Sequence, residues 1–353
     1  MEVLVHLEKI RENLATIRGF CRQAGLQPVW ITKGCQAYDP ILSDLTVHTD
    51  EVLGDVRPAN LARLRRAFSG KVMRVQISGA QQAGETVRSA HTTLISHPAH
   101  ARWLGKAAGS LGITHDLIFM IDVGNRREGA LPVAVSEMVR EVAQIPHVCL
   151  VGLGASVGCY GGYRAGLADL ERLVATALGV RNDTGLALDV LSVGSGTMLL
   201  DLVRQGRVPA GITQLRIGAA VWVGEMPPTR TAIDGLHQDA FCFCGEILES
   251  GLKPSLPEGQ TGTDAFGRQV VFENAGDRHL VLMNFGMVDV DAYDLTPLEA
   301  GVRVIGATSN YTICDVTDAA TAFSVGSVLT FRMGYSAMVR AMSSTETVKT
   351  VVG

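Results

Sequence analysis

The sequence predicts an α/β protein, a (β/α)8 barrel followed by a mostly β domain. Two observations carry that reading. From about residue 27 to residue 224, short apolar runs recur, each followed by a polar or glycine-rich turn and then by a stretch with helical spacing. After "MPPTR" the helical periodicity fades, and strand-like runs follow one another between Gly, Pro, Asp and Asn turns.

Taken in chain order, the opening "MEVLVHLEKI" reads as a strand running into a helix, a candidate partner for the C-terminal sheet rather than a barrel strand. The apolar runs are then "VWIT", "EVLGD", "VMRVQI", "TTLIS", "DLIFMID", "CLVGLGAS", "LDVLSV" and "QLRIG", with "ANLARLRRAF", "AHARWLGKAAG" and "VSEMVREVAQI" as amphipathic helices between them. Eight such strands close a (β/α)8 barrel. An open doubly wound sheet, which holds fewer strands with the same alternation, stands as the structural alternative. The C-terminal runs are "FCFCGEIL", "RQVVFE", "HLVLMNF", "VRVIGAT", "YTICDV" and "SVLTFRM". The expected division is a barrel domain over residues 1–225, with residues 1–10 possible in the second sheet, and a β domain over residues 226–353.

Composition bounds the function. The chain has 353 residues, 47% hydrophobic and 19% charged, with a formal net charge of -4, enough for two substantial cores. Its arginines are scattered among acids rather than gathered into a basic face, so no nucleic-acid partner is expected. The N-terminus is too charged for a signal peptide and no apolar run approaches the roughly 20 residues of a membrane span, which places the chain in the cytoplasm. Seven cysteines without a CxxC argue against a disulfide framework and a zinc site. In a strand, Cys242 and Cys244 share one face among apolar neighbours and read as buried thiols.

In a (β/α)8 barrel the reactive groups stand where strands end and loops begin. The first run, "PVWITKGCQAYDP", ends on Lys33, in a chain where only six of the 31 basic residues are lysines. An amine at an apolar strand end can lose part of its charge by desolvation and attack a carbonyl; on this segment alone a salt-bridged structural lysine is an equal reading. "SVGSGTMLL" and "LRIGAAVWVG" follow strands seven and eight, and their small residues leave backbone N–H groups open to an anion, the second beside Arg216. A lysine on strand one with a phosphate cradle on strands seven and eight suits pyridoxal 5′-phosphate.

The order "WITKG", "IDVGNRREG", "GLGASVGCYG", "SVGSGT", "LRIGAA", "CDVTDA" and "FRMGYSA" resembles the fold-type III pyridoxal phosphate enzymes, the alanine racemase group, and within it the ornithine racemase-type enzymes. The resemblance runs end to end, with "PSLPEGQTGTDAFG" and "FRMGY" its most specific matches. It implies that Lys33 carries the cofactor and that Tyr38 packs near it. Arg127 would fix the cofactor hydroxyl or the substrate carboxylate. Gly196, Thr197, Gly218 and Ala219, with Tyr335 from the second domain, would hold the phosphate, and Arg216 would face the pyridine nitrogen. An arginine there stays protonated and keeps the ring nitrogen unprotonated, a weaker electron sink that suits racemisation better than transamination.

The chain departs from alanine racemase at two positions. The catalytic tyrosine of that family is matched by Met287 and its stacking histidine by Ser156. Racemisation needs an acid/base on each face of the Cα carbanion, and Lys33 serves one. Cys314 is the first candidate for the other, since "CD" also resembles the Cys-Asp pair of related basic amino-acid decarboxylases; Tyr160 is the second, and core packing is an equal reading for Cys314. Asp289 and Asp315 would attract a distal ammonium on the substrate, which points to ornithine or a related basic amino acid, whereas for Asp291 a turn role is the stronger reading. The resemblance also implies a homodimer with active sites shared between subunits. A decarboxylase, a racemase of alanine, serine or broader range, and a non-catalytic pyridoxal phosphate-binding protein remain as alternatives.

Overall fold

A computed structural model describes residues 1–353 other than Cys159, Ala165, Pro228 and Ala265. The chain forms two compact units, one of Arg11–Val221 with Met226–Leu236, the other of Met1–Ile10, Trp222–Glu225 and His237–Gly353. Among the described residues no helix is long and apolar enough to cross a membrane.

The chain opens with β1 (Glu2–His6) and α1 (Leu7–Gln23). The barrel strands are β2 (Gln27–Ile31), β3 (Val52–Asp55), β4 (Lys71–Arg74), β5 (Thr92–Ile95), β6 (His115–Met120), β7 (Val148–Ser156), β8 (Val190–Gly194) and β9 (Gln214–Ile217). They pair in parallel in chain order, and β9 returns to β2 with Val29 opposite Arg216, so the sheet is a closed barrel rather than an open one. Between the strands run α2 (Asp39–Leu45), α3 (Pro58–Ala67), α4 (Ala83–Ser89), α5 (Pro98–Ser110), α6 (Pro132–Ala143), α7 (Leu167–Thr184) and α8 (Leu200–Arg204), and α9 (Ala219–Val223) follows β9. Helices α3, α5 and α6 each begin with a proline and α2 has one at its second position, where the fixed φ suits a first helical turn and the missing N–H is no loss. Helix α7 ends on Gly185 in the left-handed region, where glycine carries no Cβ penalty.

The barrel interior is not uniform. Val29, Ile31, Val52, Met73, Leu94, Ile118 and Met120, from β2 to β6, form a buried aliphatic cluster. On β7 and β8, Val151 and Val190 pack against this cluster, and the positions around Arg216 are small or polar: Ser156, Ser192 and Gly194. A Cβ on Gly154 would meet Ile118 and Met120, and one on Gly194 would meet the Arg216 guanidinium. Those small residues make the room in which Arg216 lies, 5% exposed.

Two short strands, β10 (Glu225–Met226) and β11 (Thr231–Ala232), follow the barrel. The second unit contains β12 (Phe241–Pro254), β13 (Asp277–Met283), β14 (Leu295–Pro297), β15 (Arg303–Ala307), β16 (Thr312–Asp315), β17 (Val328–Met333), α10 (Tyr335–Ser343) and β18 (Val348–Val352). Its sheet runs β14-β17-β12-β13-β16-β15, and β1 pairs antiparallel with β12 and parallel with β18. Phe243, Phe285 and Phe331 stack edge to face in its core. The expected strand "RQVVFE" does not form: only an isolated bridge between Thr263 and Gln269 exists there, and Val271 is 82% exposed. Alternating apolar residues make a strand only where a neighbour offers both hydrogen bonds and a face to cover.

Candidate active site

Lys33 follows β2 by two residues, half-buried, in a turn held from several sides. Thr32 Oγ1 donates to Asp55 Oδ2 at 2.6 Å, and the backbone N–H groups of Val56 and Arg57 donate to Asp55 Oδ1 at 2.7 and 2.9 Å. Asp55 is fully buried and receives a further bond from Asn60 Nδ2 at 3.2 Å, so one carboxylate joins the end of β2 to the start of α3. Gln36 and Ala37 take positive φ of 57° and 46°, unfavourable for non-glycine residues, and Arg63 Nη1 bonds both their carbonyls at 3.0 and 3.1 Å. Arg126 and Ser195, in the loops after β6 and β8, also have positive φ. Strain held by over-determined surroundings clusters at the strand ends that carry the expected chemistry. Among the described residues nothing pairs with the Lys33 ammonium.

Arg216 is satisfied almost wholly by the barrel. Nη1 donates to Ser192 O and Oγ at 3.1 and 2.8 Å, and Nη2 to Ala155 O at 2.9 Å and, more weakly, to Ser156 Oγ at 3.5 Å. Burial pushes its pKa down to about 10; Glu128 opposes that shift and Arg127 adds to it, and the group is still a cation at neutral pH. Its Nε–H donates to no protein acceptor among the described residues. Ser156 donates to Glu128 Oε1 at 2.6 Å and accepts from Arg127 Nη2 at 2.8 Å. Glu128 also grips Arg127 through Nε and Nη2. Burial alone would raise the Glu128 carboxyl, but the bonds from Arg127 and Ser156 outweigh it and hold it below the ordinary value.

After β8 a 3-10 turn begins at Gly196, and after β9 helix α9 begins at Ala219. The two meet: Ala220 N donates to Thr197 Oγ1 at 3.1 Å. A Cβ on Gly196 would lie 2.6 Å from Arg216 O, so that position requires a residue without a side chain, and one on Gly218 would lie a tight 3.3 Å from Ile31 Cβ. Val221 N bonds Gly218 O and Met198 N bonds Ser195 O, so the first-turn N–H groups that an anion could meet are those of Thr197 and Ala219. Tyr38 caps α2, half-buried. Tyr160, 60% exposed, lies in the loop after β7 beside Cys159, which is outside the described residues.

The C-terminal candidates fare differently. Tyr335 opens α10, half-buried, where Asp294 Oδ2 accepts from Ala337 N at 3.0 Å. Asp289, 8% exposed, accepts from Gly286 N at 3.1 Å and has no cation partner among the described residues. Cys314 is fully buried, and burial pushes its pKa up to about 12, which stands against the expected acid/base role. Asp315 is already held by cations. Its Oδ2 accepts from Arg278 Nε at 2.8 Å and Arg303 Nη2 at 2.9 Å, and Oδ1 accepts from Thr317 Oγ1 at 2.7 Å. Two arginines already neutralise it, and little charge is left for a substrate ammonium. Met287, at the position of the family tyrosine, is buried and carries no proton.

Glu128, Asp55 and Gly194 were not singled out in the sequence. The only available signal was the charge of Glu128 inside "GNRREG".

Residues 5–225 match the family described as alanine racemase, N-terminal domain. Over 344 residues the chain is 30% identical to the ornithine racemase of Acetoanaerobium sticklandii, covering 97% of each chain. It is 32% identical over 343 residues to the lysine racemase of Thermotoga maritima, covering 97% of this chain and 96% of that one. Among solved structures, an alanine racemase from Streptomyces lavendulae superposes with a TM-score of 0.74 at 14% identity, over all of this chain and 97% of that one. The chain belongs to the alanine racemase N-terminal domain family. It is an amino-acid racemase that depends on pyridoxal 5′-phosphate. The barrel residues fit that group: among the described residues Lys33 has an amine without a partner and Arg216 an Nε–H without an acceptor, and Gly196 and Gly218 leave little room for a side chain.

Proposed function

We propose that the enzyme interconverts the L and D forms of a basic amino acid, ornithine or lysine. The observation that carries this is the end-to-end similarity to an ornithine racemase and a lysine racemase. Pyridoxal 5′-phosphate, when bound, acidifies the Cα–H of the amino acid by withdrawing its electrons. Lys33 holds the cofactor and moves the Cα proton on one face. Thr197, Ala219 and the glycines at 196 and 218 hold the phosphate, with Tyr38 and Tyr335 completing the cofactor set. Arg216 donates to the ring nitrogen, and Arg127 takes the substrate carboxylate. Asp289, without a cation of its own among the described residues, receives the distal ammonium. With Cys314 buried, Tyr160 is the proton carrier of the opposite face.

The working unit we propose is a homodimer. In its favour, the C-terminal unit leaves Leu252, Val271 and Val288 at 71%, 82% and 69% exposure, an apolar surface for a second copy to cover. Light scattering tests the assembly.

Incubation of the holoenzyme with L-ornithine in deuterium oxide should abolish optical rotation and place deuterium at Cα without releasing carbon dioxide. Retention of rotation and of the Cα proton with both ornithine and lysine would sink the substrate assignment. Release of carbon dioxide would make the enzyme a lyase.

A further inference from the structure

At the end of the barrel where the strands begin, opposite the site described above, lies a cavity of about 370 Å³, the size of a small-molecule pocket. Its floor belongs to the aliphatic interior: Val52, Met73, Ile118, Val151 and Val190. Its rim is charged. Lys71 Nζ stands 3.4 Å from Asp116 Oδ2, with Lys71 largely exposed, and an ion pair in that setting contributes only about 0–1 kcal/mol, so a ligand can exchange into it. Asp50 adds a carboxylate to the rim. Glu51 is engaged elsewhere, because Arg18 holds both its oxygens at 2.5 and 3.1 Å and Trp30 Nε1 donates to it at 2.5 Å. Opposite charges side by side above an apolar floor are complementary to an aliphatic amino acid, whose ammonium, carboxylate and side chain each find a counterpart.

The same rim is joined to the interior by hydrogen bonds. Gln27 and Gln214 line the cavity, and Gln214 Nε2 donates to Gln27 Oε1 at 3.0 Å. Gln214 Oε1 accepts from Ser192 Oγ at 2.7 Å, and Ser192 Oγ accepts from Arg216 Nη1 at 2.8 Å. Gln214 and Ser192 are buried, so a displaced amide is answered by its partner rather than by water. We propose that this cavity is a second amino-acid site: it binds an aliphatic zwitterion, with the ammonium at Asp116, the carboxylate at Lys71 and the side chain on the floor, and its occupancy is felt at Arg216 through Gln214 and Ser192. The coupling, unlike the binding, rests on the reading that Arg216 faces the cofactor ring.

Calorimetric titration of the holoenzyme with N-methyl-L-leucine tests the site, since a secondary amine does not form a neutral imine with an aldehyde. One molecule should bind per chain in the millimolar range or tighter. Lys71→Met, a change at an exposed position that folding should tolerate, should weaken binding roughly tenfold or more, the scale of one charge-assisted hydrogen bond, and Lys71→Arg should restore part of it. Lys33→Ala should bind the ligand as the wild type does. Absence of binding to the wild type, or binding unmoved by Lys71→Met, would overturn the proposal. Loss of binding in Lys33→Ala would also overturn it, because the ligand would then lie at the active site. N-methylpentylamine, which lacks the carboxylate, should bind at least tenfold more weakly, and equal binding would refute a zwitterion site. At saturation with N-methyl-L-leucine the visible band of the cofactor should shift, and Ser192→Ala should bind the ligand without that shift; a band that stays put in the wild type would refute the coupling. None of these measurements involves turnover or ornithine, so failure of the substrate assignment is seen separately.

Discussion

Gly194→Ala tests the most crowded point of the site. An added Cβ would stand 2.5 Å from Arg216 Nη2, 3.0 Å from Ser156 Oγ and 3.1 Å from Arg216 Cζ. The guanidinium has nowhere to retreat without breaking its bonds to Ser192 and Ala155. Overpacking costs about 1–3 kcal/mol and a lost charge-assisted hydrogen bond about 1.5–3 kcal/mol, so we expect a loss of about 3–5 kcal/mol. At roughly 2–4 °C per kcal/mol, the apparent melting temperature should fall by about 10 °C. On the role proposed for Arg216, displacing it would also remove a donor from the cofactor ring, so cofactor affinity, read by titrating the visible band, should drop about tenfold for each 1.4 kcal/mol lost. Gly179→Ala is the control: it lies inside α7, nothing stands within 4 Å of its added Cβ, and alanine there favours the helix. If the two variants melt alike and bind cofactor alike, Gly194 is not making room for Arg216 and the account of the barrel interior fails.

Lys33→Ala should abolish the borohydride-sensitive visible band while leaving the far-ultraviolet circular dichroism unchanged; a persistent band would place the cofactor on another amine. Asp55→Asn turns an amide nitrogen toward one or more of the donors now bonded to the carboxylate, and should cost about 2–4 kcal/mol in denaturant melts and reduce cofactor loading by loosening the Lys33 turn, an effect that a distant core mutant of equal stability should not reproduce. Tyr160→Phe should slow racemisation by roughly 10²–10⁴ while Cα proton exchange continues for one enantiomer, whereas Cys314→Ala should keep racemisation and lose only about 1–2 kcal/mol of stability; the reverse pattern would restore the thiol to the site. Burial would raise the Asp315 carboxyl, but Thr317, Arg278 and Arg303 hold it at about 2 against an ordinary 3.8, so its stabilisation is fully present above about pH 4 and is lost as pH falls toward 2; Asp315→Asn should flatten the acid limb of a stability profile over that window.

The barrel was legible because parallel strands covered by helices are short, nearly continuous apolar runs, and such runs recur at regular intervals between residues 27 and 217. "RQVVFE" misled because alternation records a capacity to be half-buried, and nothing in the neighbouring sequence says whether a partner strand exists. Lys33 and Arg216 could be found because barrel topology assigns chemistry to strand ends before any contact is known. Glu128 and Asp55 could not. Each is an acid in a turn until folding brings it to a hydroxyl far along the chain, Ser156 at 28 residues' separation and Thr32 at 23. The same dependence on partners governs Asp315, whose arginines at 278 and 303 gave no sign in sequence that they would reach it.

A barrel that takes a guanidinium into its interior must make space for it, supply acceptors and balance its charge, and the three needs are met by different strands. Space comes from Gly194 and Gly154, where larger residues would close the interior. Acceptors come from the ends of β7 and β8, as the carbonyls of Ala155 and Ser192 and the hydroxyl of Ser192. The charge is balanced from the loop after β6, through Glu128 and Ser156. An aliphatic residue at position 216 would be far easier to bury. The expense of an arginine is justified only by a property that no aliphatic has, a cation that donates and never accepts. In the role proposed for it, facing a ring nitrogen, it would prevent protonation there and restrain how far electrons are drawn from the substrate, which would favour return of the proton to Cα over its loss elsewhere. The aliphatic cluster, which Val151 and Val190 join from β7 and β8, and the small or polar positions around Arg216 are therefore one arrangement: the first supplies the cohesion that lets the second hold a charge.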